Sequence, residues 1–305
     1  METPTFYHTT VLLQEAVEGL AIRPDGVYVD ATFGGGGHSR LILERLGPHG
    51  KLIAFDHDAD AWRNKPEDER LVPVTESFRY MKRFLRLHGH QQVDGILADL
   101  GVSSWQFDTG TRGFSTRFDG PLDMRMDQRL EVTAADVIRT YREADLHRIF
   151  EQWGEVRNSR QLARHLVAVR GKAQLNTIGE LKAAIAPVVK GRPDRYLAQL
   201  FQALRIEVNE EMAALQEFLE QAPSCLRPGG RLSVISFHSL EDRMVKRFIR
   251  SGGMEEQPEH PLGLPGVPAP LKAVNAKPIE PTEEEQERNP RSRSARLRIA
   301  EKPAV

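Results

Sequence analysis

Short apolar runs alternate with helix-spaced stretches through the first third of the chain. Val27 to Asp30, Lys51 to Phe55, Leu71 to Thr75 and Val93 to Leu100 read as buried strands. Between the first two, His38 to Leu46 carries apolar residues at helical spacing and stops at Gly47-Pro48. Strand, helix, strand at this repeat predicts parallel strands joined by crossover helices. Ahead of them, Val11 to Glu18 is predicted as a short helix, with Thr10 at its N-cap and Gly19 just past its end.

From Thr133 to Gly191 no segment looks like a strand. Helical patterns follow one another at Ala134 to Thr140, Glu143 to Gln152, Ser159 to Val169 and Thr177 to Val189. Ser159 and Thr177 are expected to cap the last two, with Glu180 completing a capping box. Arg205 to Leu219 keeps Ile206, Val208, Met212, Leu215 and Leu219 on one face and reads as a single helix. Leu226 to Gly230 then predicts a turn, Arg231 to Phe237 a strand, and Ala295 to Ala300 a final strand. Glu255 to Pro290, with eight prolines and the acidic run Glu283 to Glu287, is expected to be an extended loop with one short strand near Leu271 to Ala276. The pattern predicts an α/β domain made of residues 1–105 and 206–305, interrupted by an all-helical insertion at 106–205.

Composition narrows the class. The chain has 305 residues, 40% hydrophobic and 28% charged, so it can bury a core and is not globally disordered. One cysteine, Cys225, excludes an intrachain disulfide framework and a cysteine-rich zinc site, and is expected to be a core or turn residue. No stretch approaches the ~18 apolar residues of a membrane helix, and residues 1–10 lack the pattern of a secretory signal. A cytoplasmic protein is expected. The net charge of −1 hides an uneven distribution. Residues 106–205 hold 17 basic and 12 acidic side chains, and from Arg157 to Arg205 ten basic residues face only Glu180 and Asp194. Such a surplus suits phosphates, although a solvated helical face would look the same.

The chemistry begins at Gly34 to Gly37. A strand, a glycine-rich turn and a helix bring backbone N–H groups and a helix N-terminus to one ligand. Asp56 ends the next strand, where a carboxylate can accept the hydroxyls of a ribose. NAD, FAD and S-adenosylmethionine all fit this much. The turn lacks the G-x-G-x-x-G spacing that a pyrophosphate wants, and this favours S-adenosylmethionine. Ligands of open α/β sheets lie beyond the carboxyl ends of the strands, where Asp99 leaves the fourth one. Methylating a ring carbon needs a thiolate, and Cys225 has no activating neighbourhood in the sequence. Methylating an exocyclic amine needs only acceptors that hold and orient its N–H groups. Asp99 is the expected catalytic residue.

Six blocks in order resemble the bacterial small-subunit ribosomal RNA cytosine-N4 methyltransferases, the MraW or RsmH family. They are His8 to Leu13, Asp30 to Ser39, Asp99 to Ser104, Arg112 to Ser115 with Asp119 to Met126, Ser236 to Arg243, and Asn289 to Ala295. The resemblance spans nearly the whole chain. It implies a class I (Rossmann-like) S-adenosylmethionine-dependent methyltransferase sheet of seven strands with an inserted helical domain for RNA recognition. It implies S-adenosylmethionine as methyl donor and N4 of a cytidine in 16S rRNA, position 1402 in the usual numbering, as acceptor. The partner is then 16S rRNA within the small ribosomal subunit, with no membrane; a homodimer stays open. Carried over by motif, the cofactor contacts are Gly36, Gly37, His38, Asp56, Phe78, Asp99 and Gln106, with no metal. Trp105 stands where the family pattern has proline, which bears on how Gln106 is presented.

Other residues carry two readings each. Ser239 begins a capping box with Asp242. Ser236 and His238 sit where the target base would come, Arg291, Arg293, Arg296 and Arg298 are RNA contacts or edge-strand protection, and His8 is a candidate substrate contact. A nicotinamide-dependent oxidoreductase on the same sheet and a non-catalytic RNA-binding assembly factor are the competing functions.

Overall fold

The computed structural model describes residues 10–254 and 268–304; His8 lies outside them. Two compact units form, one from residues 1–101 and 213–305, the other from 102–212. In chain order the elements are α1 (Leu13–Gly19), β1 (Val27–Asp30), α2 (Gly37–Arg45), β2 (Lys51–Phe55), β3 (Leu71–Val74), α3 (Met81–Leu87) and β4 (Val93–Asp99). The second unit holds α4 (Ser104–Asp108), α5 (Ala134–Thr140), α6 (Glu143–Gln152), α7 (Ser159–Val169), α8 (Ile178–Ile185) and α9 (Pro193–Asn209). The chain continues with α10 (Glu211–Cys225), β5 (Leu226–Ser236), α11 (Ser239–Ser251), β6 (Lys272–Ala273), α12 (Glu283–Arg288) and β7 (Arg296–Glu301).

One seven-stranded sheet runs in the order β3-β2-β1-β4-β5-β7-β6. The first five strands in that order are parallel, and β7 is antiparallel to both its neighbours. Successive side chains on a strand point to opposite faces, and β1 shows what that does. Val27 and Val29 join Met81 and Leu85 of α3, Phe218 of α10 and Phe248 of α11 on one face. Tyr28 turns to the other face, with Ala16, Val17 and Ile42 from α1 and α2. Helices on both faces explain why the strands read as unbroken apolar runs. The unit at 102–212 has its own core, with Val137, Ile149, Phe150, Leu162, Leu181 and Leu200 at its centre.

Several local expectations are corrected. The run from Arg205 to Leu219 is two helices, broken at Glu210, whose φ is 49°. Val208 packs into the core of the second unit, whereas Leu215 and Leu219 pack under the sheet. A continuous apolar stripe therefore serves two cores. Asn209 fixes the break by accepting from Met126 N–H at 2.7 Å and donating to Met124 O at 2.7 Å.

Thr10 does not cap α1. Leu12 stands at that N-cap in the left-handed region, and its N–H is donated to the Glu285 carboxylate at 2.9 Å. Gly19 closes α1 from within, packed so closely on Ile299 that a Cβ would lie 2.7 Å from it. The acidic run is not loop but α12, capped by Thr282, with three glutamates in its first turn, where negative charge favours a helix. Ser159 lies inside α7, and Asn158 precedes it without a side-chain cap. Thr177 and Glu180 do form the expected capping box, but α8 ends at Ile185 and a 3₁₀ turn follows. The predicted turn at 226–230 belongs to β5. β7 is not an edge strand, because β6 covers it.

Candidate active site

Five parallel strands end at one edge of the sheet, and the loops leaving β1, β2 and β4 are tied together there. Asp30, the last residue of β1, is fully buried. Its carboxylate accepts from Ser39 Oγ of α2 at 2.6 Å and from Thr32 N–H at 3.1 Å. Thr32 Oγ1 in turn accepts the N–H of Asp99 at 2.6 Å, so one threonine links the glycine loop to the end of β4. From β2, Asp56 accepts Gly34 N–H at 2.8 Å and Asp58 N–H at 2.9 Å. An ionised carboxylate accepts about four hydrogen bonds, so holding the loop and receiving a hydroxyl are compatible roles.

The glycines divide the labour. A Cβ on Gly37 would fall 1.8 Å from Thr10 Oγ1, and one on Gly36 would fall 2.8 Å from the Phe33 ring. At these two positions the missing side chain is needed for packing. Gly34, at φ +52°, meets nothing nearer than Thr32 O at 3.9 Å. The open side of the loop is therefore at Gly34, next to Asp56.

Asp99 and His38 meet across this edge, Oδ2 to Nδ1, at 3.7 Å. His38 is 4% exposed. Asp99 Oδ1 is buried and has no hydrogen-bond partner among the described residues. Burial, followed by the charges of Asp30 and Glu241, raises the Asp99 carboxyl well above the usual carboxylate range. Burial likewise lifts Asp30 to about 6, against the lowering hydrogen bonds of Ser39 and Thr32. Burial by itself favours neither sign of charge; the smaller Coulombic part, from Asp56 on Asp30 and from Asp30 and Glu241 on Asp99, is the part that a nearby cation would relieve. A sulfonium suits that field, and the orphaned Oδ1 suits an N–H donor.

Phe78 follows β3 on a 3₁₀ turn and packs edge-on against Phe218 with ring centres 5.3 Å apart. Gln106 lies in the second unit, where its Oε1 accepts Ser103 N–H at 3.1 Å and completes the cap of α4. The structure thus brings Gly36, Gly37, His38, Asp56 and Asp99 to one strand edge and gives Gln106 a capping role. His238, not Ser239, caps α11, and Glu241 accepts the N–H groups of Phe237 and His238. Arg298 and Arg296 are bound to Asp242 of α11. Cys225 is fully buried, and burial pushes its thiol up.

Sequence reasoning missed three groups. Asp30 opened the block Asp30 to Ser39 but was given no role of its own, yet a carboxylate before four glycines is itself a signal. Thr32, in the same block, was given no role because its partner Asp99 is distant in sequence. Trp62 stacks on Phe33 with ring centres 4.5 Å apart and backs the glycine loop; only the fold brings them together.

The MraW methylase family model matches residues 5–303. A protein of Flavobacterium johnsoniae named ribosomal RNA small subunit methyltransferase H is 54% identical over 99% of this chain and 100% of its own length. A protein of the same name from Parabacteroides distasonis is 54% identical over 99% of both. Among solved structures, an rRNA methylase from Streptococcus thermophilus aligns over 97% of this chain and 98% of its own, at 12% identity and a TM-score of 0.42. The nicotinamide reading falls away because the matched family is one of methylases, and the seven strands expected from the sequence are present, in the order β3-β2-β1-β4-β5-β7-β6 with β7 antiparallel. With the family model matching along almost its entire length and relatives 54% identical over 99% of it, the chain belongs to the MraW methylase family.

Proposed function

We propose that the protein transfers the methyl group of S-adenosylmethionine to the exocyclic N4 of a cytidine in small-subunit ribosomal RNA, at position 1402 in the usual numbering. The observation that carries this reading is the partly buried Asp99 carboxyl, whose Oδ1 is buried and meets no donor among the described residues. The names of the two relatives support the RNA substrate. Such a substrate places the work in the cytoplasm, on the small subunit.

When bound, the donor supplies an electrophilic methyl group on a sulfonium. Gly34, Gly36, Gly37, His38 and Asp56 would hold it, with Phe78 as a further contact. Asp99 accepts an N–H of the cytosine amine, turns the nitrogen lone pair away from the ring and takes up the proton that the amine sheds as its nitrogen gains the methyl group; no bond forms between enzyme and base. Cys225, buried with its thiol held protonated, cannot serve as the ring nucleophile that carbon methylation requires. The basic surface from Arg157 to Arg205, in the unit at 102–212, meets the RNA backbone.

Small subunits lacking the mark, incubated with labelled S-adenosylmethionine and the protein, should yield N4-methylcytidine on nuclease digestion and mass spectrometry. A methyl group on carbon 5, or none, overturns the reading.

A further inference from the structure

We propose that His238 reads the target cytosine together with Asp99, its Nε2–H donating to ring atom N3 while Asp99 Oδ1 accepts from the neighbouring amine. The proposal rests on the cytidine substrate inferred above and adds how that base is told from uracil.

Both residues belong to the unit formed by 1–101 and 213–305, at the ends of neighbouring strands. β4 and β5 are parallel, and Asp99 is in register with Ile235. Leu100 N–H donates to Ile235 O at 3.0 Å, and His238 follows Ile235 by three residues. The two loops stay together past the strands, since a Cβ on Gly101 would lie 3.6 Å from the Phe237 ring. Glu241 fixes the turn after β5 by accepting the N–H groups of Phe237 and His238 at 2.8 and 3.3 Å. Its charge is felt at Asp99.

Capping α11 accounts for only one ring nitrogen of His238. Glu241 N–H donates to Nδ1 at 3.4 Å, so the proton of the neutral imidazole belongs on Nε2. The side chain is 10% exposed. Nε2 is buried and has no hydrogen-bond partner among the described residues, although Glu241 Oε1 stands 3.2 Å away. Asp99 Oδ1 is the complementary case, a buried acceptor without a donor. Buried polar groups left unpaired cost free energy, so a donor and an acceptor held in this way at adjacent strand ends call for a ligand that supplies both partners. Cytosine does so: its amine N–H and its N3 acceptor are neighbours on the Watson–Crick edge, by which extruded bases are read. Uracil reverses both, with an O4 acceptor beside an N3–H donor. A serine or asparagine would cap the helix as well; imidazole adds the second nitrogen.

Asparagine reproduces Nδ1 of the ring and glutamine Nε2, which separates capping from recognition. The test uses the full-length protein and small subunits reconstituted with 16S rRNA that carries cytidine or 3-deazacytidine at the target position. The analogue keeps the amine and lacks N3. Methyl transfer is read as kcat/KM. On cytidine, His238→Asn should lose about tenfold while melting as the wild type does. His238→Gln, a poorer cap, should keep more of the rate than His238→Asn. The penalty for 3-deazacytidine should be about tenfold larger in the wild type than in His238→Asn, which has already lost the contact. The analogue's intrinsic reactivity is common to both proteins and cancels. Equal penalties, or a rate for His238→Asn above that of His238→Gln, would overturn the proposal and leave His238 a cap. Transfer to unaltered small subunits by the wild type is scored separately. Its absence defeats the proposed function, whereas its presence with equal penalties defeats only the reading by His238.

Discussion

His38 Nδ1 lies 3.7 Å from Asp99 Oδ2, joining the first turn of α2 to the last residue of β4. This contact closes the strand edge on which a methyl donor and an amine would meet, and it makes Asp99 the most exacting residue to change.

Asp99→Asn keeps the shape of the side chain and removes the charge. Methyl transfer should fall at least ~100-fold, the scale of a positioned catalytic group, while circular dichroism stays that of the wild type. Because Asp99 ionises well above the usual carboxylate range, the wild-type rate should rise with pH as that carboxyl loses its proton. The variant should lose this dependence. Unchanged turnover removes Asp99 from the chemistry.

Asp30 has the opposite consequence for stability from an ordinary paired carboxylate. Its folded value of about 6 lies above its ordinary 3.8, so the folded state holds the proton more tightly than the unfolded one. The stability this contributes is complete below pH ~3.8 and is lost as pH rises through about 6. The shift corresponds to about 3 kcal/mol. Denaturant melts from pH 4 to pH 7 should show wild type losing ground against Asp30→Asn; parallel curves would refute the assignment.

Asp242 behaves the other way. Burial alone would raise its carboxyl, but Arg298 and Arg296 bring it below the usual value. Its contribution is present above the ordinary carboxylate range and disappears as pH falls through the lowered value. Arg298 is nearly buried beside it, so Asp242→Ala leaves an uncompensated charge and should cost about 3 kcal/mol. Chemical denaturation at pH 7 and pH 3 checks both the loss and its convergence in acid.

Gly37→Ala should destabilise the protein by about 1–3 kcal/mol through overpacking on Thr10. Combining it with Thr10→Ala removes the hydroxyl that clashes. A double-mutant cycle should then show a coupling of at least ~0.5 kcal/mol. Gly34→Ala has room for its methyl group and should be penalised for its positive φ alone. A cycle that closes without coupling means the Thr10 contact does not hold the loop.

Affinity for small-subunit RNA should fall steeply as salt rises, because the surplus of basic residues from Arg157 to Arg205 displaces counterions. Replacing Arg160 and Arg164 of α7 by glutamine should flatten the plot of log affinity against log salt by roughly 1 to 2 units. An unaltered slope would move the RNA surface elsewhere.

Legibility in the sequence followed the range of the interaction concerned. β1, β2 and the helices α5, α6 and α7 were placed from local periodicity alone, because burial on one side imposes its spacing on nearby residues. The glycine turn and the carboxylates at Asp56 and Asp99 were visible for the same reason. Caps were less legible. Thr177 could be assigned because its partner Glu180 is three residues away, whereas Leu12 draws on Glu285 from the far end of the chain.

By itself, the sequence determined the order of strands and helices, the helical interruption, the glycine turn and the family pattern, all carried by residues close to one another along the chain. Only the tertiary structure decided that one apolar stripe divides between two cores at Glu210. It likewise decided that Gly37 answers to Thr10, and that Asp30 and Asp99 share a desolvated edge which raises both their proton affinities. Burial and charge proximity depend on distances in space, and the linear order of residues holds no record of those until the sheet assembles.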